Sequence, residues 1–283
     1  MLKIPNWPIN KTAVDSKEWP KLLNQLKDPP KILYYRGNLN PDLFEKSLAI
    51  VGSRRMTGYG ERVSAMIIPS LVAEGVTIIS GFMYGVDTKA HQECLDCGGK
   101  TIAVLGGGLN VLYPPENEKL YERIVENGGL IISEYPPGQQ PQLWTFVKRN
   151  RIVAGLATLG VLIIEAGEKS GSLVTAKIAR SLKKPVFATP GPLTSSVSTG
   201  TNRLIKEGLA KMVLSANDIV KTRFTTPYRP TDKILDLLSA EPLTLDELAI
   251  KLDKNVIETG QILTMLSLKG EIEERGGKWF IGN

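Results

Sequence analysis

The chain has 283 residues, 42% of them hydrophobic, so it can form one large domain with a sizeable core and a small second domain. No apolar stretch approaches the ~20 residues that span a membrane, and residues 1–6 lack the apolar run and cleavage site of a signal peptide. With two cysteines and no disulfide framework, the composition predicts a cytoplasmic protein without a membrane partner.

Charge is distributed unevenly along the chain. The net charge is +6, but residues 231–283 have six Lys/Arg against ten Asp/Glu, a net of −4. Residues 1–230 therefore have 29 basic against 19 acidic side chains, a net of +10. Such a basic body attracts polyanions and accelerates their encounter, without indicating which polyanion is bound.

Strand and helix patterns alternate over residues 31–224, after a short helical extension predicted for residues 1–30. Strands are predicted at 47–51, 76–79, 101–105, 130–132, 161–165 and 185–188. Helices are predicted between them at 58–73, 86–97, 117–127, 148–157 and 172–182. This alternation predicts an α/β fold with a doubly wound parallel sheet and right-handed crossovers.

The pattern changes after a linker predicted at residues 225–230. Three helical segments and a hairpin with a Gly276-Gly277 turn predict a small winged helix-turn-helix domain over residues 231–283. Thr244 and Glu247 have the spacing of a capping box at the second helix. Because a DNA-reading helix is normally basic and this domain is acidic, we expect it to bind protein or to modulate a site elsewhere.

The loops after the predicted strands are rich in glycine, hydroxyl groups and cations. Open α/β folds bind ligands at the carboxyl ends of their parallel strands, which is where these loops lie. Glycine permits close backbone approach, hydroxyls donate hydrogen bonds, and guanidinium groups fork phosphate oxygens. Ordinary tight turns and N-caps are the alternative for each loop. The candidate anion-binding residues are Gly52, Ser53, Arg54, Arg55, Gly81, Gly106, Gly107, Lys169, Ser170, Gly171, Ser172 and Thr175.

Residues 144–151 combine aromatic side chains with a basic cluster at a predicted helix start. Bases stack on aromatic rings while cations hold phosphates, so the segment is typical of single-strand binding. The alternative is that Trp144 and Phe146 are core residues and the cations form a solvated helix face; for Trp144 the core position is favoured. Candidate binding residues here are Phe146, Lys148, Arg149, Asn150 and Arg151.

Several familiar motifs are incomplete. Val111 stands where a dinucleotide-binding fingerprint requires glycine. His91, Cys94 and Cys97 lie on one short predicted helix without a fourth ligand nearby, which makes a poor metal site. No nucleophile, base and acid form a catalytic set, so we expect neither a cofactor, nor a metal, nor an enzymatic activity.

Ordered blocks of the sequence resemble the bacterial DNA-processing protein A family (DprA, also called Smf) from about Pro29 to the C-terminus. The blocks are residues 49–55, 80–91, 101–114, 132–138, 149–156, 165–176, 188–191 and 200–205. Two departures, Val147 for a frequent proline and Ala157 for a frequent serine, are uncharged, so we expect a changed loop shape rather than lost binding.

The resemblance implies an extended Rossmann-like domain that binds single-stranded DNA without sequence preference. It further implies protection of incoming DNA, loading of a RecA-type recombinase in natural transformation, and a homodimer formed through the Rossmann domain. No catalytic activity is implied. By the match, the DNA pocket is lined by Gly52, Ser53, Arg54, Arg55, Phe146, Arg149, Asn150, Arg151, Ser170, Gly171 and Ser172.

Two alternatives stay open at this point. The related Rossmann group of nucleotide phosphoribohydrolases has a glycine-rich catalytic loop whose pattern residues 166–172 lack, although Glu165 and Asp87 offer carboxylates. A nucleotide sensor would bind mononucleotides tightly and DNA not at all.

Overall fold

The structure is a computed structural model that describes residues 7–221, 230–252, 254–268 and 270–282. The chain divides into two compact units, Met1–Pro227 and Tyr228–Asn283, and each has an apolar core of its own. The domain boundaries predicted at residues 31 and 231 stay predictions. Of the linker predicted at 225–230, all but Pro230 lies outside the described residues.

A single nine-stranded sheet organises the described part of the first unit. In chain order its strands are Asn10–Ala13 (β1), Ile32–Gly37 (β2), Ser47–Gly52 (β3), Thr77–Ser80 (β4), Thr101–Val104 (β5), Leu130–Ser133 (β6), Gly160–Ile164 (β7), Val186–Ala188 (β8) and Lys211–Met212 (β9). The order across the sheet is β1-β2-β6-β5-β4-β3-β7-β8-β9. The pairings from β6 to β9 are parallel, whereas β1 and β2 add an antiparallel edge.

Helices cover both faces of this sheet. They are Asp42–Glu45 (α1), Gly58–Ala73 (α2), Val86–Asp96 (α3), Glu118–Glu126 (α4), Leu143–Leu156 (α5), Gly171–Ser181 (α6) and Thr199–Lys206 (α7). One core contains Ile152 of α5 and Ala176 of α6, and another contains Ile67 of α2 and Ala90 of α3. The predicted doubly wound α/β class is therefore confirmed.

Residues 7–30 differ from the predicted helical extension. They form β1 and a single 3-10 turn, Lys21–Gln25, with Trp19 and Leu23 buried in the same core as α5. The short segment of β1 has little periodicity, and its extended form depends on pairing with β2, a contact that local sequence does not encode.

The second unit has its own small core. Its elements are Pro230–Ala240 (α8), Leu245–Leu252 (α9), Val256–Leu268 (α10), Ile272–Arg275 (β10) and Lys278–Ile281 (β11). The predicted capping box is present, because the backbone N–H of Thr244 donates to the Glu247 carboxylate at 2.8 Å and the Glu247 N–H donates to the Thr244 hydroxyl. The predicted winged helix is confirmed.

None of the helices in the described ranges is long and apolar enough to cross a membrane.

Candidate nucleic-acid interface

The main cleft of the first unit lies where the chain direction across the sheet reverses. After β3 the chain passes through α2 to β4 on one side, and after β7 it passes through α6 to β8 on the other. Because β3 and β7 are neighbours, the loops that follow them diverge and leave a crevice at their carboxyl ends. This crevice has a volume of about 630 Å³.

Most of the sequence-predicted site residues meet in this cleft. Those that line it are Gly52, Ser53, Arg54, Arg55, Gly81, Phe146, Arg149, Asn150, Lys169, Ser170, Gly171, Ser172 and Thr175. Four others do not line it: Gly106, Gly107, Lys148 and Arg151. Their role in binding stays a prediction.

The loop after β3 presents two arginines to solvent. A Cβ added at Gly52 would lie 1.9 Å from the Ile164 carbonyl oxygen, so only glycine permits this approach between β3 and β7. The Ser53 hydroxyl accepts a hydrogen bond from the Arg55 backbone N–H at 3.0 Å. The turn is thereby fixed while the side chains of Arg54 and Arg55 remain exposed at the cleft.

The opposite wall is the N-terminus of α6. The Ser170 hydroxyl accepts from the Ser172 backbone N–H at 3.4 Å and lies 2.7 Å from the Ser172 hydroxyl, so the N-cap that was the alternative for this loop is present. The Asn150 amide donates to the Gly171 carbonyl at 3.4 Å and ties α5 to this wall. Lys169 is exposed beside it. A helix N-terminus with an adjacent ammonium group favours an anion.

Arg149 forms the floor of the cleft. It is 3% exposed, and its guanidinium donates to the backbone carbonyls of Gly81 and Val104. Burial lowers the pKa of Arg149 to about 10, and the nearby Asp87 carboxylate opposes that shift. Burial raises the pKa of Asp87, against the charge of Arg149. The guanidinium is thus held by the protein itself beneath the exposed arginines.

Helix α5 begins at Leu143, five residues earlier than predicted. The Gln142 N–H donates to the Thr145 hydroxyl at 2.9 Å, which supplies a cap that the sequence reading overlooked. Lys148 and Arg149 therefore lie more than a turn inside the helix, where cations do not oppose the positive end of the helix dipole.

Phe146 is a half-buried ring in contact with a cation and with a second aromatic ring. The Arg54 guanidinium lies 5.4 Å from the centroid of its ring, within cation–π range. The ring of Tyr113 lies 5.6 Å away on another side. Trp144, which was favoured as a core residue, is 53% exposed and contacts Tyr135 edge-on instead.

The remaining basic residues of α5 are paired outside the cleft. Arg151 donates to both carboxylate oxygens of Glu134, at 2.9 and 2.6 Å. Lys148 lies 3.7 Å from Asp28 and 4.0 Å from Glu134. Gly106 instead provides room for Phe146, because a Cβ there would lie 2.5 Å from its ring.

Sequence reasoning missed several lining residues. Met83, Tyr84, Leu143, Val147 and Val197 also face the cleft. Tyr84 lies in the loop after β4, so its position at a strand end was a usable signal. The apolar residues carried no such signal, because an exposed Leu143 or Val147 looks like a core residue in sequence.

The side chains considered for metal binding or catalysis, among them His91 and Glu165, form hydrogen bonds within the protein. His91 is fully buried and its Nδ1 lies 2.7 Å from the Thr101 hydroxyl. Thr101 donates to the Ile78 carbonyl, so Nδ1 of His91 is the donor. Glu165 accepts from the Thr57 backbone N–H at 2.8 Å and from its hydroxyl. No cluster of three or more His, Cys, Asp or Glu suited to a metal occurs among the described residues.

Comparison with known proteins identifies both units. The family model for DNA recombination-mediator protein A matches residues 10–223, and the DprA winged helix domain matches residues 226–278. The DNA processing protein DprA of Streptococcus pneumoniae is 44% identical over 202 residues, which are 71% of this chain and 70% of that protein. Protein Smf of a Synechocystis strain is 41% identical over 216 residues, 75% of this chain but 54% of that protein, so the match spans about half of its length.

Solved structures agree with the sequence relatives. DprA of Streptococcus pneumoniae has a TM-score of 0.70 at 40% identity, with 78% of this chain and 76% of that chain covered. DNA processing protein A of Helicobacter pylori, described for its single-stranded DNA binding mode, has a TM-score of 0.67 at 33% identity, covering 75% and 94%. The extended Rossmann-like sheet, the winged helix and the sequence matches together establish that this chain belongs to the DNA-processing protein A (DprA/Smf) family.

Proposed function

We propose that this chain binds single-stranded DNA without sequence preference in the cleft between the β3 and β7 loops. The observation that carries the proposal is the stacking of the exposed Arg54 over the half-buried ring of Phe146 at 5.4 Å, with Arg55 and Lys169 also at the cleft. Exposed aromatic faces accept any base, and the cations accept the phosphates between bases. The relative from Helicobacter pylori, with its single-stranded DNA binding mode, supports the same substrate class.

The family relationship supports a wider role. We infer that the protein acts in the cytoplasm, protects incoming DNA, and loads a RecA-type recombinase onto it in natural transformation or homologous recombination. Its net charge of +10 over residues 1–230 favours capture of a polyanion.

We further infer a homodimer through the Rossmann domain. Met66, Met212 and Leu214 are 46%, 45% and 61% exposed, and Met66 and Leu214 line a shallow groove of about 290 Å³. Clustered exposed apolar side chains of this kind favour burial against another protein surface. Self-association buries them without requiring a second partner.

A binding protein fits the cleft better than an enzyme does. The phosphoribohydrolase alternative relied on Glu165 and Asp87, but Glu165 is buried and bonded to Thr57, and Asp87 lies against Arg149. Both carboxylates have partners within the protein, although Asp87 also lines the cleft, and this favours binding over catalysis. Incubation with nucleoside monophosphates is expected to release no ribose phosphate, and measurable release would favour the enzyme.

The direct test compares Arg54→Ala with Arg123→Ala in titrations of oligo-dT at several salt concentrations. Arg54 faces the cleft, whereas Arg123 is not among the residues that line it and pairs with Asp96 at 2.6 Å, so the two variants remove the same charge from different places. Arg54→Ala is expected to lower the affinity and reduce the steepness of the log–log salt dependence by about 0.7 per lost phosphate contact. Arg123→Ala is expected to keep the salt dependence of the parent protein.

Equal salt dependence for both variants would place the strand outside this cleft. Tight binding of a mononucleotide, with no affinity for oligo-dT, would instead identify a nucleotide sensor.

A further inference from the structure

A second cleft adjoins the first on the other side of the two exposed arginines. Its volume is about 350 Å³. The residues that line both clefts are Arg54, Arg55 and Tyr84. The other lining residues are Glu61 of α2, Thr88, Lys89 and Gln92 of α3, and Met56, Gly85 and Asn117, which precede α2, α3 and α4. The two clefts therefore meet at side chains that they share.

A row of three aromatic rings leads from the first cleft to the second. The ring of Phe146 lies 5.6 Å from that of Tyr113, and Tyr113 lies 6.2 Å from Tyr84 in an edge-on arrangement. Tyr113 and Tyr84 are 40% and 36% exposed, so part of each ring faces solvent. The Tyr84 hydroxyl donates to Glu116 at 2.8 Å.

The charges of the second cleft favour a phosphate near the shared arginines. Lys89 lies 2.9 Å from Glu93, so its ammonium group is partly neutralised, and Glu61 is the acidic group of the lining. The cationic contact therefore comes from Arg54 and Arg55, at the boundary with the first cleft. The far wall is neutral and polar at Gln92, whose amide can bond to a base or sugar.

We propose that Tyr84 and the second cleft extend the binding site for single-stranded DNA. A base stacks at Tyr84, the phosphate beside it lies at Arg55, and the next nucleotide enters the second cleft against Gln92. The inference rests on the proposed binding of single-stranded DNA in the first cleft. In this arrangement the bound DNA follows the row of three aromatic rings and bends over the loop after β3.

The test is a length series of oligo-dT, from about 4 to about 16 nucleotides, the range that single-strand sites cover. Two variants alter the proposed extension: Tyr84→Leu removes the ring, and Gln92→Glu places a negative charge in the second cleft alone. We expect Gln92→Glu to weaken binding of the longer oligonucleotides and to leave the shortest one that the parent binds unaffected, because Gln92 lines the second cleft and not the first. Tyr84 lines both clefts, so Tyr84→Leu is expected to weaken the longer oligonucleotides more than the shortest one. For Tyr84→Leu the expected loss is about 5- to 150-fold, since stacking of one base on an aromatic ring is worth that much.

Tyr84→Phe is the matched control, because it keeps the ring and removes only the hydroxyl that donates to Glu116. It is expected to bind every length as the parent does, and a loss as large as that of Tyr84→Leu would overturn the stacking role. The inference is also overturned if Gln92→Glu matches the parent at all lengths, or if both variants weaken all lengths equally. A parent protein that binds no oligo-dT at all would instead refute the proposed function, and the extension with it.

Discussion

The buried His91 makes the stability of the Rossmann domain depend on pH in a way that can be measured without ligand. Burial, and next the positive charge of Arg149, lower the pKa of His91 from 6.5 to about 3. Its Nδ1 is bonded to Thr101, while its buried Nε2 has no hydrogen-bond partner among the described residues. A proton added at Nε2 would therefore be both desolvated and unpaired.

The sign of this pH dependence follows from the protonation of His91 in the folded and in the unfolded chain. The unfolded chain takes up a proton on His91 below pH 6.5, but the folded protein stays neutral there until about pH 3. Stability is complete above pH 6.5 and falls as the pH drops, by about 1.4 kcal/mol for each pH unit. Between about pH 6.5 and about pH 5 the expected loss is about 2 kcal/mol.

The assay compares denaturant unfolding of the parent protein and His91→Asn at both pH values. Asparagine can donate to Thr101 but does not titrate, so the variant is expected to lose stability at neutral pH and yet to lack this pH dependence. The raised pKa of Asp87 contributes a dependence of opposite sign, but it is present in both proteins and cancels in the comparison.

An equal loss in both proteins would refute the assignment to His91. NMR offers an independent check, because the chain has one histidine and its imidazole signals need no assignment. An imidazole that titrates near pH 6.5 in the folded protein would also contradict the buried, neutral ring.

Three further predictions concern the floor of the cleft, the second unit and the proposed dimer surface. Gly81→Ala puts a Cβ 2.5 Å from the Asp87 carboxylate and 2.6 Å from the Arg149 guanidinium, so thermal unfolding is expected to show about 1–3 kcal/mol of lost stability, together with weaker oligo-dT binding. An unchanged melting temperature would show that Asp87 and Arg149 can move to accommodate the added methyl group. Removal of residues 228–283 is expected to leave oligo-dT affinity unchanged in the same titrations, because the second unit has a separate core; a large loss would show that the acidic domain contributes to binding. Leu214→Glu is expected to convert the proposed dimer to a monomer in sedimentation experiments, whereas an unchanged dimer would place the interface elsewhere.

The central strands were predictable because burial on both faces leaves a plain pattern. Residues 161–164 are a continuous apolar run and residues 76–79 are apolar except for Thr77, and they form β7 and β4 within one residue of the predicted bounds. The edge strand β1 was not predictable, since it has one buried residue, Thr12, and is extended only because β2 pairs with it. Long-range pairing of this kind leaves no local pattern.

The location of the site was predictable from the sequence, whereas the functions of its individual cationic side chains were not. The loops after β3, β4 and β7 meet at the cleft, because parallel strands bring their carboxyl ends to one edge, whereas Gly106 and Gly107 after β5 do not line it. The functions of neighbouring cations were not readable from sequence. Arg149 turns inward to backbone carbonyls, Arg151 turns to Glu134, and Arg54 reaches the cleft, although all three occur in basic clusters. Only the folded positions of their partners distinguish them.

The crevice between the β3 and β7 loops has a mechanical consequence. A DNA strand bound there is attached to the interior of the nine-stranded sheet. At this place β3 is hydrogen-bonded to β4 on one side and to β7 on the other. Tension on the bound DNA would then act on the interior of the sheet, where each strand is bonded on both sides, and the two-residue edge strand β9 would not take the load first.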